Sequence, residues 1–356
     1  MLRTDWATNE YRLKNDLYGG IGYYRIVKPA EILKDYYDID IIGKGYAGLG
    51  KTQEERMEYI FNKYDLVFTR HVQDAKLMSD FIACAKYFKK PIIMDMDDNF
   101  LDIKPDNPAY KDYEPGSQSV MMLSAGLGLV DAITVSTLPL VDKYKRFNEN
   151  IHHLPNFNDI NDWPLKAKRL TNRRIIGYAG SITHDSDLIS VINPLKEIFR
   201  KYPDVDFEVV GAIGEIGPFK EAFGDFRDRV HAYGGSPAWD NYNKILSEMT
   251  WNVAICPLED DDFTRSKSHI KWMEYTMMGW PVIASDVEPY KVIRQGKTGF
   301  LCKTHRDWVD ALSIVLENGI ISKELVENAT QEIKENWQWK DNVEKYRQVF
   351  DKYLRR

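Results

Sequence analysis

The sequence predicts an α/β protein built from two parallel-sheet domains. Three observations lead there. At 356 residues the chain exceeds what one hydrophobic core usually serves. Short apolar runs alternate with longer amphipathic stretches almost throughout, the rhythm of strand and crossover helix. That rhythm runs twice, and HHLPNFNDINDWP at 152–164 separates the two runs. This join is rich in Pro and Asn, has no sustained periodicity, and reads as a hinge.

In the first half the strands fall at 38–42, 65–69, 91–95 and 132–136, where the runs DIDII, DLVFT, PIIMD and AITVS stand. Amphipathic stretches at 22–34, 53–63, 73–88 and 116–129 supply the helices. DIKPDNPAYKDYEPGSQ at 102–118 is polar and Pro-containing and reads as a surface loop. The second half repeats the pattern, with strands at 174–178, 206–211, 229–233, 252–256, 281–284 and 299–302. Its helices fall at 186–201, 216–225, 238–248, 267–278, 305–317 and 322–335. Residues 336–353 form a last amphipathic helix rich in Trp, Tyr and Phe. In open parallel sheets ligands bind beyond the carboxyl ends of the strands.

Composition narrows the function. Hydrophobic residues make up 44% and charged residues 29%, as in an ordinary soluble globular protein. The net charge of −6 gives no electrostatic footprint for a nucleic-acid duplex or an anionic membrane. The three cysteines, Cys84, Cys256 and Cys302, are far apart and form no CxxC, which argues against a disulfide framework or a structural zinc. The N-terminus is too polar for a secretory signal, and no apolar run approaches membrane-spanning length. A cytoplasmic protein is the expectation.

The strongest local signal is FTRSKSHIKWMEYTMMGWPVIASD at 263–286. Lys267, Lys271, Glu274 and Met278 share one helical face. Ser266 is placed to cap that helix, and its first free amides, beside Arg265, Lys267 and Ser268, make an anion site. A carboxylate at Glu274, two turns on, suits the two hydroxyls of a ribose. The same spacing also fits a surface helix with a charged face. The second signal is IIGYAGSITHDSDL at 175–188. Gly177 and Gly180 let backbone approach a ligand, and Ser181 adds a hydroxyl and an amide. Only two glycines stand at GxxG spacing, so this is not the dinucleotide fingerprint. His184 and Asp187 follow; a histidine in such a turn serves equally as a cap or a packed side chain.

These blocks, from GYAGS through EVVGA and VAICPL to KSHIKWMEYTMMGWPVIASDVEPYKVIRQGKTGFLC, resemble the donor-binding core of GT-B-fold retaining glycosyltransferases, the group 1 or family 4-like enzymes. GGIGYYRIVKPAEIL, YDLVFTRHV, KPIIMDMDDNFLDI, DAITVST and HLPNFND extend the resemblance over nearly the whole chain. It implies a GT-B fold: two Rossmann-like parallel-sheet domains facing an inter-domain cleft. The first would be the acceptor-side domain, 1–155, with helix 337–356 packing back on it; the second would be the donor-binding domain, 156–336. It further implies that Glu274 grips the ribose of a nucleoside diphosphate sugar, and that 266–268 with GYAGS holds the diphosphate. The loop after the strand at 229–233 would border the nucleobase. Two departures stand out. Ser266 occupies the place of the first of the family's two glutamates, and Asp261 or Asp262 is placed to supply its contact. The Arg and Lys pair after the first strand of the second domain is absent, and Lys267 and Lys271 stand in.

The first half carries two competing motifs. GKGYAGLGKT at 43–52 is a literal P-loop, with Gly45, Gly50, Lys51 and Thr52 at the right spacing, and IIMD at 92–95 mimics a Walker B strand. A P-loop ATPase is therefore the rival reading, and a sugar- or nucleotide-binding protein without turnover is the third. MDMDD at 94–98 mimics a metal-binding DxD. A metal is redundant where amides and lysines neutralise the diphosphate, so Asp97 and Asp98 are read as structural or acceptor-facing. Gly20, Gly22 and Arg25 near the first helix, and Arg70 and His71 after DLVFT, complete the acceptor-side candidates. The resulting expectation is transfer of a sugar from a nucleoside diphosphate sugar to an acceptor hydroxyl, with His184, Lys271 and Asp262 as catalytic candidates. No cofactor is required, and Mg²⁺ is not expected. Acceptor identity and oligomeric state are not written in the sequence.

Overall fold

The computed structural model describes residues 2–4, 19–70, 75–163, 172–180, 185–211, 216–234 and 239–354. The chain divides into two compact units. Unit 1 holds residues 1–105, 109–157 and 339–356; unit 2 holds 106–108 and 158–338. Among the described residues each contains one six-stranded sheet, and every strand pairing is parallel. Both units are α/β, as the alternating rhythm requires.

In unit 1 the strands are β1 (Leu2–Thr4), β2 (Asp40–Ile41), β3 (Val67–Arg70), β4 (Ile92–Met96), β5 (Ala132–Val135) and β6 (Ile151–His153), in the order β2-β1-β3-β4-β5-β6. Strand order reverses between β1 and β3. Val67, Met94, Ile133 and Val135 turn to one face, where helices Gln53–Lys63, Ala75–Phe88 and Gln118–Leu129 cover them in one cluster. Side chains alternate across a strand, so Phe68 turns the other way. It meets Phe350 of helix Trp339–Leu354 edge to face, with ring centroids 5.4 Å apart. β1, β6 and helix Leu138–Tyr144 have no counterpart in the sequence reading. Residues 110–113, read as loop, form a single helical turn.

Unit 2 contains β7 (Arg174–Gly180), β8 (Val205–Gly211), β9 (Val230–Tyr233), β10 (Val253–Cys256), β11 (Val282–Ser285) and β12 (Phe300–Cys302), in the order β12-β11-β10-β7-β8-β9. The order reverses between β7 and β10. Gly177 in β7 is needed for packing: a Cβ there would lie 1.7 Å from the Trp251 ring. Gly211 is a second such position, with φ +127° and room for no side chain beside the Gly180 carbonyl.

The helix expected at 186–201 is two, Asp185–Ile189 and Ile192–Lys201. Pro194 has no N–H to give the Ser190 carbonyl, and its ring would clash there, so the helix restarts. The stretch at 216–225 is a helix only over Ile216–Glu221, followed by a 3-10 segment Gly224–Arg229. Among the described residues no helix is long and apolar enough to cross a membrane.

Candidate functional site

The reversal of strand order between β7 and β10 marks where a ligand would bind at the carboxyl edge of the second sheet. The chain leaving β10 passes through a 3-10 turn, Thr264–Ser266, before helix Ile270–Met277 begins. The helix is shorter than the spacing predicts. Asp261 caps the 3-10 turn: its Oδ1 accepts the amides of Phe263 and Thr264, both at 2.9 Å. Ser266 is therefore not a helix cap. It is fully buried, and its hydroxyl donates to the Asp262 carbonyl at 3.0 Å.

Lys271 and Glu274 lie on the helix proper. The Lys271 Nζ donates to the carbonyl of Ala179, at the end of β7, at 2.7 Å. The Tyr275 hydroxyl also donates to that carbonyl, at 3.0 Å, and accepts the Ala179 amide at 2.8 Å. Burial pushes the Lys271 pKa below that of an ordinary lysine, and nearby Lys267 pushes the same way. Glu274, Cys256 and Asp187 oppose the shift. Glu274 is 5% exposed, and its Oε2 accepts the Tyr242 hydroxyl at 3.1 Å. Asp187 is buried and accepts the Glu259 amide at 2.9 Å. Burial raises the Cys256 thiol to about 12, leaving it an inert neighbour. At Gly180 a Cβ would meet the Tyr178 hydroxyl at 2.4 Å, so the edge of β7 stays bare.

The structure thus brings Gly180, Asp187, Lys267, Lys271 and Glu274 to one edge. Arg265 belongs elsewhere: its guanidinium pairs with Asp260 at 2.7 Å and Asp262 at 3.5 Å on the surface of the acidic loop. The pairing gives the exposed Asp262 a partner in that loop. Ser268 lies in the link between the turn and the helix. Ser181 and His184 lie outside the described residues.

In unit 1, Gly20–Gly22 open a helix that widens into a π-helical turn, Tyr23–Val27. Arg25 in that turn is 1% exposed. It holds Asp95 with two nitrogens, at 2.9 and 2.5 Å, and donates to the Leu154 carbonyl at 2.6 Å and Asn156 Oδ1 at 3.0 Å. Burial works against its charge, but Asp95 and its neighbours outweigh burial and raise its pKa. Arg25 is a structural clasp, and its acceptor-side assignment is corrected. Arg70 and Asp97 pair at 2.8 Å at the ends of β3 and β4, both nearly buried. Asp98 Oδ1 accepts the Asn99 amide at 3.1 Å. The three aspartates of MDMDD therefore have different partners, and no cluster of three metal-ligating side chains occurs among the described residues. His71 lies outside the described residues. The P-loop match folds as a 3-10 helix over Gly43–Leu49. The Lys51 amide donates to the Glu55 carboxylate at 2.7 Å, and Thr52 caps the next helix by accepting the Glu55 amide at 3.1 Å. An acidic side chain thus stands where that motif would place phosphate.

The family described as Glycosyl transferases group 1 matches residues 173–318. The matched stretch lies within unit 2. Trehalose synthases of Thermococcus litoralis and Pyrococcus furiosus are each 27% identical to the chain over 179 residues. That stretch is 47% of this chain and only 41% of each relative's length. Three solved structures align over almost the entire chain. Sucrose-phosphate synthase from Thermosynechococcus elongatus has TM-score 0.67 and 14% identity, covering 99% of this chain and 98% of that one. A glycosyltransferase from Rickettsia africae has TM-score 0.69, 14% identity and the same coverage. HepE from Anabaena, in complex with UDP and glucose, has TM-score 0.66 and 12% identity, covering 98% and 99%. At such identities the likeness shows the fold, GT-B with two Rossmann-like units.

Within unit 2, sequence reasoning missed Tyr242, Tyr275 and the backbone of Ala179. Tyr275 directly follows Glu274 in a helix that must pack on β7, which is the signal that could have found it. Nothing local marks Tyr242.

Proposed function

We propose that the protein is a glycosyltransferase that moves a sugar from a nucleoside diphosphate sugar to an acceptor hydroxyl with retention of anomeric configuration. One observation carries the reading. The Lys271 ammonium, tied to the Ala179 carbonyl near the end of β7, sits one turn from the buried carboxylate of Glu274 where the strand order reverses. Negative charge builds on the departing diphosphate as the glycosidic bond breaks. Lys271 and Lys267, with nearby amides, stabilise that charge where burial excludes water. Glu274 takes the ribose, and Asp187 and Gly180 border the phosphates and sugar. Gly20, Gly22, Arg70 and Asp97 in the first unit serve the acceptor. The reaction needs no metal, because cationic side chains do the neutralising.

HepE is described with UDP-glucose bound, so that donor is the first to try. Calorimetric titration of UDP is the test: wild type binds, and Glu274→Ala loses about tenfold or more, the cost of a hydrogen bond to a charged group. Equal affinity of the variant and wild type would sink the site. Turnover in excess EDTA checks metal independence, and proton NMR of the anomeric product checks retention.

A further inference from the structure

Glu274 is held from a second helix. Tyr242 stands on helix Trp239–Glu248, which follows β9, and Glu274 on helix Ile270–Met277, which follows β10. The Tyr242 hydroxyl donates to Glu274 Oε2 at 3.1 Å. The terminal torsion of a glutamate is soft and roughly two-fold, so backbone position alone does not fix the plane of its carboxylate. An ionised carboxylate has about four acceptor sites. A donor on one oxygen sets the plane and therefore the directions in which the remaining sites point. Lys271 and Tyr275, on the same helix as Glu274, direct donors to Ala179. The Tyr242 contact comes from the helix that follows the loop after β9.

We infer that Tyr242 is a positioning residue, whose hydroxyl orients the Glu274 carboxylate to accept the ribose hydroxyls of the donor nucleotide. This rests on the donor reading above. The bland alternative is a helix-to-helix tie that contributes only to stability. The two differ in what they do to ribose discrimination. A tie that merely stabilises affects every nucleotide alike. A positioning residue affects the ligand that has both hydroxyls more than the 2′-deoxy form, which keeps only the 3′-hydroxyl.

The experiment titrates the whole chain with UDP and 2′-deoxy-UDP, and likewise with the ribo and deoxy forms of GDP and ADP. Wild type, Tyr242→Phe, Glu274→Gln and the double variant are compared. Wild type should bind the favoured ribonucleotide about tenfold more tightly than its deoxy counterpart. Tyr242→Phe should cut that preference to about twofold by weakening the ribonucleotide more than the deoxynucleotide, which keeps its 3′-hydroxyl. In the Glu274→Gln background the tyrosine substitution should add nothing, the non-additivity expected of groups acting through one another. Equal weakening of both forms, or an unchanged preference, overturns the role of Tyr242 and leaves the donor site standing. Failure of wild type to bind any of the three nucleotides sinks the donor reading and this inference with it.

Discussion

Lys271 carries opposed demands. Burial disfavours its charge and depresses its pKa, while the proposed chemistry needs the charge. Because the folded-state pKa lies below the unfolded value, the unfolded chain binds more protons between the two. The group's contribution to stability thus rises with pH from the depressed pKa up to the ordinary lysine value of 10.5. Lys271→Met should raise the melting temperature of the unliganded protein near neutral pH. The same change should weaken UDP about tenfold or more, as for a lost charge-assisted contact. A variant that melts lower near neutral pH, or that keeps the full rise in stability toward pH 10.5, would contradict this account. The sequence placed Lys271 and Glu274 on one helical face, because i,i+3 spacing is a local property. It could not place Arg25, whose partner Asp95 lies 70 residues away.

Among the elements, the long buried strands were the easiest to read. RIIGYAG and VAIC are continuous apolar runs, as parallel strands covered on both faces must be. β1 is three residues long and β6 reads IHH, so neither carries a pattern of its own. Each exists because a neighbouring strand pairs with it. The start of the 270–277 helix was misread for a similar reason: Ser266 is drawn into the preceding 3-10 turn, where its hydroxyl bonds the Asp262 carbonyl, and the helix begins only at Ile270. Helix Gln53–Lys63 gives a direct test of the P-loop rival. Thr52→Ala should cost about 1 kcal/mol of stability, the ordinary worth of a cap, and Lys51→Ala should leave UDP affinity within twofold. Loss of nucleotide binding in Lys51→Ala would revive the ATPase. Helix Trp339–Leu354 is tied to β6 by His152, whose ring lies 2.9 Å from the Tyr353 hydroxyl. Burial depresses the His152 pKa below 6.5. Between that depressed value and 6.5 the unfolded chain binds the extra proton, so stability falls as pH drops through this window. Denaturation from pH 7.5 to 5 should show the loss, and His152→Asn should flatten it. An unchanged slope in the variant would remove His152 from the account.

At the scale of the molecule, unit 1 is assembled from chain segments far apart in sequence. Arg25 gathers β4 through Asp95, the segment after β6 through Leu154 and Asn156, and the last helix through Tyr346, 3.4 Å away. Removing one partner of a buried ion pair strands the other, at about 3–5 kcal/mol. Arg25→Met should therefore lower stability by about that amount in urea denaturation, while UDP still binds the folded fraction. A loss of affinity with full stability would return Arg25 to the active site. The ordinary expectation for a two-domain chain is that the N-terminal domain folds first as it is synthesised. Here residues 158–338 are a continuous stretch, whereas the unit that begins at residue 1 also needs residues 339–354. A ribosome must deliver residues 339–354, and with them all of unit 2, before unit 1 can close. Until then Phe68 and Arg25 await Phe350 and Tyr346, and the unit that nascent-chain chaperones would have to shelter longer is the one whose synthesis starts before the other's.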